Sequence, residues 1–342
     1  MCDVIVVGAG IAGLAAAESL VAAGRSVVVL EKSRGVGGRM ATRRVKTAIG
    51  EFALDHGAQY FTSRSDAFRA RLAPLQATGV VTPWIEAVAT LLSDGTLVWP
   101  GPEHTYPRYA CPAGMTAVCK SLAVDLDIRL EHRAVAVDAD GALWRVHSET
   151  PTGMQTVEGR ALLVTPPPEQ SFALLGNWGE QDALAPARAV AFDPCLAVMV
   201  GYEAGALDLP DGLRWEDDPR IAWTAVDGSK RPIPAATLVI HSQPDFARDA
   251  AEQPREEAGR TLLAHCAQRL AKHSTVDLAQ PAWMQVHYWR YAMPTNPLAE
   301  LCLTVRSPLP LAMAGCWCAG ARVEGAFLSG RAAAEALLPW LA

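Results

Sequence analysis

The residues with the plainest chemical purpose are Gly8, Gly10 and Gly13, with Glu31 beyond them. Spaced as Gly-x-Gly-x-x-Gly, the glycines suit the pyrophosphate of a dinucleotide. Gly8 can take a turn conformation closed to other residues, Gly10 lets the main chain approach the diphosphate, and Gly13 lets a helix pack against a strand. A carboxylate at Glu31 would accept hydrogen bonds from ribose hydroxyls and repel a 2′-phosphate. That chemistry admits FAD or NAD and disfavours NADP.

The elements needed to hold these residues follow in order. Val4-Ile5-Val6-Val7 is an apolar strand, and the alanine-rich stretch around Gly13 is a helix, whose N-terminal N–H groups would face the phosphates. Ser26 to Leu30 is a second strand, ending at Glu31. Next comes Lys32-Ser33-Arg34-Gly35-Val36-Gly37-Gly38-Arg39-Met40, a basic loop where a soluble NAD dehydrogenase would continue into another helix and strand. Its glycines can run close under a diphosphate, and Arg39 can offer a bidentate fork. The expected cofactor is therefore FAD.

At 342 residues the chain can bury a large core, and its length suggests two domains. The net charge of −6, with both signs mixed along the chain, argues against a nucleic-acid partner. No apolar run reaches membrane-spanning length, and a strand starting at residue 3 leaves no room for a signal peptide, so a cytoplasmic protein is expected. The eight cysteines include no C-x-x-C pair and no zinc spacing. They are expected to be buried thiols, with no metal.

Further along, Phe52 to Asp55 reads as a strand, His56-Gly57-Ala58 as a turn able to lie against a flat ring, and Tyr60-Phe61 as an aromatic pair. A helix near Ser65 to Gln76 and short strands around Val80 to Val98 suggest a separate domain. Cys111-Pro112-Ala113-Gly114-Met115 and a helix from Thr116 to about Ala123 return to the first. Strands at Arg133–Asp138, Trp144–Glu149 and Gln155–Val164 follow, the first two joined by a turn over Asp138-Ala139-Asp140-Gly141. Pro166-Pro167-Pro168 closes the unit. Mixed elements then include an amphipathic helix over Arg255–Lys272. A last strand, Leu309–Ala314, meets Gly315-Cys316-Trp317-Cys318-Ala319-Gly320 before a helix running to about Leu338. Its N-terminus could face a reduced flavin, or the helix could simply pack the end of the chain.

With the blocks GAGIAGL, EKSRGVGGRMATRR, LDHGAQYFT, PAGMTAV, VHYWRYA and AGCWCAGARVEGAFLSG in view, the chain resembles the FAD-dependent amine oxidase superfamily and, within it, the bacterial renalase-like oxidoreductases. The resemblance implies an α/β fold like that of p-hydroxybenzoate hydroxylase: a Rossmann-type FAD-binding domain from residues 1–62, 111–168 and 291–342, and a discontinuous, sheet-rich substrate domain from 63–110 and 169–290. It implies cofactor contacts at Ile11, Ala12, Lys32, Gly38, Arg39, Met40, Gly57, Ala58, Gln59, Val135, Cys316, Val323, Glu324 and Ala326, besides Gly8, Gly10, Gly13 and Glu31. The implied reaction oxidises 2- or 6-dihydro isomers of NAD(P)H, passing hydride to flavin N5 and then electrons to molecular oxygen, giving hydrogen peroxide.

Such a reaction asks the protein to orient a ring and exclude water, with no strong base. Gln59 and Tyr60 are expected at the flavin edge, with His241, Trp289, Arg290 and Tyr291 lining the pocket. Each has a plainer alternative: His241 as a satisfied core histidine, Trp289 and Tyr291 as one face of a core strand, Arg290 as a carboxylate's partner. Two other functions stay open, an amine oxidase or desaturase on a larger apolar substrate and a flavin-binding protein without turnover. Cys316 stands where relatives carry Asp after Ala-Gly, so a ribityl hydroxyl would lose a charged acceptor. A water could compensate, or the thiol could act on the flavin.

Overall fold

Val4, Ile5 and Val6 are fully buried, and the strand they form is central to the first of two large sheets. The computed structural model describes residues 1–203, 205–232, 235–318 and 320–341; Ala319, within the C-terminal motif, lies outside them. β1 (Cys2–Val7) leads through the glycine turn into α1 (Ile11–Ala22) and back into β2 (Val27–Leu30), parallel to β1. A hairpin of β3 (Thr42–Thr47) and β4 (Gly50–Asp55) leaves the sheet. α2 (Asp66–Ala77) and the short strands β5 (Thr82–Ile85), β6 (Ala89–Leu91), β7 (Leu97–Val98) and β8 (Arg108–Ala110) follow.

α3 (Thr116–Leu122) and β9 (Asp127–Arg129) return the chain to β2. β10 (Arg133–Asp140), β11 (Leu143–Thr150) and β12 (Gly153–Val164) form a meander that lays β12 parallel to the free edge of β1. Its first turn is the two-residue Gly141-Ala142, later than expected, because Gly141 supplies the positive φ (+62°) that a tight hairpin needs. The proline run also differs from expectation. Pro168 opens α4 (Pro168–Leu175), a first-turn position where a missing N–H costs nothing.

The second sheet contains β13 (Phe192–Gly201), β14 (Gly212–Trp215), β15 (Ile221–Val226), β16 (Thr237–Ser242) and, after α5 (Pro244–Asp249) and α6 (Arg255–Leu270), β17 (Trp283–Pro294). Its order is β17-β13-β16-β15-β14-β6-β7. β18 (Leu303–Val305), β19 (Leu311–Met313) and α7 (Val323–Leu337) close the first sheet, with β19 parallel to β12.

β13 is apolar without alternation, Leu196 to Val200 all fully buried, because both faces of its sheet are covered. Leu196, Val198 and Val200 pack toward Leu262, Cys266 and Leu270 of α6. Met199 packs the other way, against Val45 and Leu54 of the β3–β4 hairpin. The inner face of the second sheet thus meets the first domain.

Leu174, Leu175, Leu184 and Ala187 share a core with Ile5 and Val7 of the first sheet, and β17 continues the second sheet to Pro294. Residues of 168–190 thus pack with the first sheet, and β17 carries the second sheet past residue 290.

Candidate functional site

Gly8 has φ +101°, and a Cβ on Gly13 would stand 2.0 Å from the Gly8 carbonyl oxygen. Both positions therefore demand glycine. A Cβ on Gly10 would meet nothing within 4 Å, so the turn is open on that side. α1 starts after Gly10 with no side-chain cap, which leaves its first N–H groups available to an anion. Ile11 and Ala12 are buried, so only their main chain can serve a ligand. The second glycine loop lies alongside, Gly37 N–H donating to Ala9 O at 2.9 Å.

Glu31 is buried, and its carboxylate accepts hydrogen bonds from Ala9 N–H and Ser33 N–H, both 2.8 Å. It braces both loops, a role the sequence did not disclose. His132 N–H donates to Glu31 O, and the β10–β11 register skips Val135 shortly after, leaving that residue out of the ladder. Lys32 and Gly38 are exposed. Met40 is buried, its sulfur 3.9 Å from Cys119 Sγ, so its side chain belongs to the core.

A Cβ on Gly57 would fall 2.1 Å from Arg39 O, and Ala58 N–H donates to that oxygen at 2.8 Å. The Gly57-Ala58 chain therefore lies tight against the second glycine loop. The Arg39 guanidinium donates to Tyr291 O and Ala292 O at 3.4 and 3.3 Å, so here it reaches the β17 edge rather than the first glycine turn. α7 begins with no side-chain cap at Arg322, which leaves its first N–H groups without a side-chain acceptor. Glu324 holds the N–H groups of Arg64 and Ser65 with its carboxylate, which leaves its main chain for a cofactor. Cys316 packs in the apolar cluster that contains Ala12 and Ala326. Trp317 and Cys318 pack in the cluster across the sheet. The eight cysteines are all free.

An open glycine turn, a second glycine loop that admits no Cβ at Gly57 and two uncapped helix N-termini fit an adenine dinucleotide bearing a flat ring.

Above this groove the inner face of the second sheet presents Trp223, His241, His287 and Trp289, brought onto one side by the registers Trp223↔His241, Ala197↔His241 and Ala197↔His287. His56 stacks on Trp289 at 5.0 Å between centroids and meets His287 edge-on at 4.9 Å. His241 Nε2 and Trp289 Nε1 both donate to His56 O, at 3.1 and 2.9 Å, which leaves His241 Nδ1 as an acceptor. Burial drives the pKa of His56 to about 3 and that of His241 to about 4; burial and the charges of Arg43 and Arg255 lower His287 as well. These imidazoles are uncharged at neutral pH.

Tyr60 lies 5.6 Å from Trp223 and 6.4 Å from Trp84. The Arg108 guanidinium stands 5.6 Å over the Tyr60 ring, and Lys230 Nζ 4.6 Å over Trp84. Lys230 belongs to a buried ion cluster joining the domains. Its Nζ is 2.8 Å from Asp227 Oδ1 and 3.7 Å from Asp55 Oδ2, while Arg231 Nη2 reaches Asp55 and Asp227 at 2.9 and 2.7 Å. Burial works to raise the Asp227 pKa, but Lys230 and Arg231 overcome it and hold the carboxyl below its usual range.

Expectation and structure part at two residues. The Gln59 amide is spent inside the protein: Oε1 accepts from Lys230 Nζ at 3.0 Å, and Nε2 donates to Asp55 O and Gly57 O. Arg290 points away from Trp289 and pairs with Glu169 at 3.0 Å, its side chain 71% exposed. Tyr291 lies edge-on to Phe192 at 5.9 Å. Asp227, Lys230 and Arg231 escaped the sequence reading, since Asp-Gly-Ser-Lys-Arg has the composition of a solvated turn.

Residues 6–73 match the NAD(P)-binding Rossmann-like domain, and residues 84–338 match the family described as flavin containing amine oxidoreductase. Putrescine oxidase of Kocuria rosea is 40% identical over 119 residues, 34% of this chain and 22% of that protein. Lysine-specific histone demethylase 1 homolog 3 of Oryza sativa subsp. indica is 51% identical over 59 residues, 17% of this chain and 7% of that protein. The chain thus matches a minor part of either relative. A solved structure of putrescine oxidase bound to putrescine superposes with a TM-score of 0.72 at 15% identity over 99% of both chains. Cyclohexylamine oxidase from Brevibacterium oxydans gives 0.71 at 16% identity, again over 99% of both. At such identities the likeness is one of fold.

Proposed function

The chain belongs to the flavin containing amine oxidoreductase family and is an FAD-dependent oxidoreductase; from that premise we propose that it oxidises a flat, uncharged reduced ring, of the kind presented by 2- or 6-dihydro-NAD(P), in the cytoplasm with molecular oxygen as final acceptor. FAD supplies the two-electron acceptor. The N-termini of α1 and α7, the two glycine loops and Glu31 would hold it. Trp223 and Trp289 offer flat surfaces to a substrate ring, and His241 can accept a hydrogen bond from an amide N–H through Nδ1.

One observation carries the choice of substrate. Two of the ring faces at the site already carry the protein's own cations, Lys230 over Trp84 and Arg108 over Tyr60. The carboxylates nearby are engaged: Asp55 and Asp227 by Lys230 and Arg231, Glu324 by main-chain N–H groups. A substrate cation finds repulsion there rather than a partner. The rival reading, oxidation of an amine, draws on the 40% identity to putrescine oxidase over 119 residues.

Anaerobic mixing separates the readings. Dihydro-NAD isomers are expected to bleach the bound flavin and putrescine is not. Bleaching by putrescine alone would replace this proposal with amine oxidation, and bleaching by no donor would leave a flavin-binding scaffold.

A further inference from the structure

The Lys230 side chain is fully buried, yet its charge is committed to a residue of the cofactor groove. Of its three donors, one goes to Asp227 Oδ1 at 2.8 Å and one to Gln59 Oε1 at 3.0 Å, with Asp55 Oδ2 beyond hydrogen-bond reach at 3.7 Å. A lysine can only donate, so it dictates which end of the Gln59 amide faces it. The amide nitrogen must then turn to the carbonyls of Asp55 and Gly57, where it is found. Those carbonyls flank the Gly57-Ala58 chain, which abuts Arg39 O and would meet the flavin.

We infer that Lys230 is a positioning residue of the flavin site: through the Gln59 amide it sets the path of residues 55–58, and so carries the seating of the second domain to the surface that receives the flavin ring. The relay runs from a 3-10 turn of one domain, residues 227–230, to a loop of the other. It does not depend on which donor is oxidised. The substrate reading fails on bleaching by donors, whereas this one fails on binding and spectrum of the oxidised cofactor.

Removing Lys230 alone would leave two buried carboxylates against one guanidinium, so the test pairs Lys230→Met with Asp227→Asn, which keeps the cluster balanced. The paired variant is expected to unfold cooperatively near the wild-type temperature while binding FAD about tenfold or more weakly, the worth of one charged hydrogen bond. The visible bands and midpoint potential of its bound flavin are expected to shift, which a purely structural role would not bring about. Gln59→Met should reproduce the loss of affinity and the spectral shift. Combining all three substitutions should add nothing, because they interrupt one relay. Unchanged affinity and spectrum in the folded paired variant, or additive losses, would overturn the inference. If the paired variant does not fold, Gln59→Met decides alone, since it disturbs no charge: a wild-type spectrum and affinity there overturns the relay, and a shift upholds it.

Discussion

Glu31 serves the protein before it serves a ligand, because each carboxylate oxygen already accepts a main-chain N–H. Glu31→Gln offers a single acceptor oxygen, so one of those N–H groups would face an NH₂. The apoprotein should lose about 1–3 kcal/mol of stability and FAD affinity should fall about tenfold; urea unfolding of apoprotein and FAD titration measure the two. An affinity loss with unchanged apoprotein stability would confine Glu31 to the ribose. Cys316→Asp should move the same measurements in opposite directions. A carboxylate among Ala12, Ala326 and their neighbours destabilises the empty protein, while a ribityl hydroxyl regained as partner tightens FAD by about 1.5–3 kcal/mol. Equal or weaker FAD binding would leave a compensating water or a role for the thiol. Glycines 8, 10 and 13 were legible in the sequence because their constraint lies within a few residues. Lys230 was not, because its Gln59 partner is 171 residues away and nothing local to Asp-Gly-Ser-Lys marks the turn as buried.

Among the elements, α1 and α7 cross with no space between them: a Cβ on Gly330 would stand 2.0 Å from Ala12 O. Gly330→Ala should force the helices apart at a cost of about 1–3 kcal/mol. Both uncapped N-termini belong to these helices, so FAD affinity should weaken together with thermal stability. A variant that melts lower but binds FAD normally would show that the crossing serves packing alone. The amphipathic α6 and the strands β11 and β12 could be read from their own patterns, and α1 from its alanine-rich stretch behind the glycine motif. The start of α4 could not, since a proline run reads equally as a stop signal and as a helix's first turn. The pocket face of β17 was half legible: Trp289 and Arg290 were both expected in the pocket, and only the register with β13 shows that Trp289 is the one facing inward.

For the molecule as a whole, the histidines between the domains tie stability to pH. The unfolded chain binds protons at His56 and His241 below about pH 6.5, whereas the folded protein resists them until about 3 and 4. Between those limits the unfolded state holds more protons, so stability falls as pH falls, by roughly 1.4 kcal/mol per unit for each histidine. Urea midpoints from pH 7 to pH 5 should decline accordingly, and His241→Asn should flatten the slope; an identical slope would remove His241 from the account. The first sheet carries a different consequence. β1 finds β2 at once, but β19 and α7, which complete its far side and the crossing with α1, are translated some 300 residues later. A ribosome therefore releases most of the second domain before the groove that receives FAD has both its walls, and the nascent chain must keep Val4–Val7 and α1 shielded from aggregation until α7 emerges.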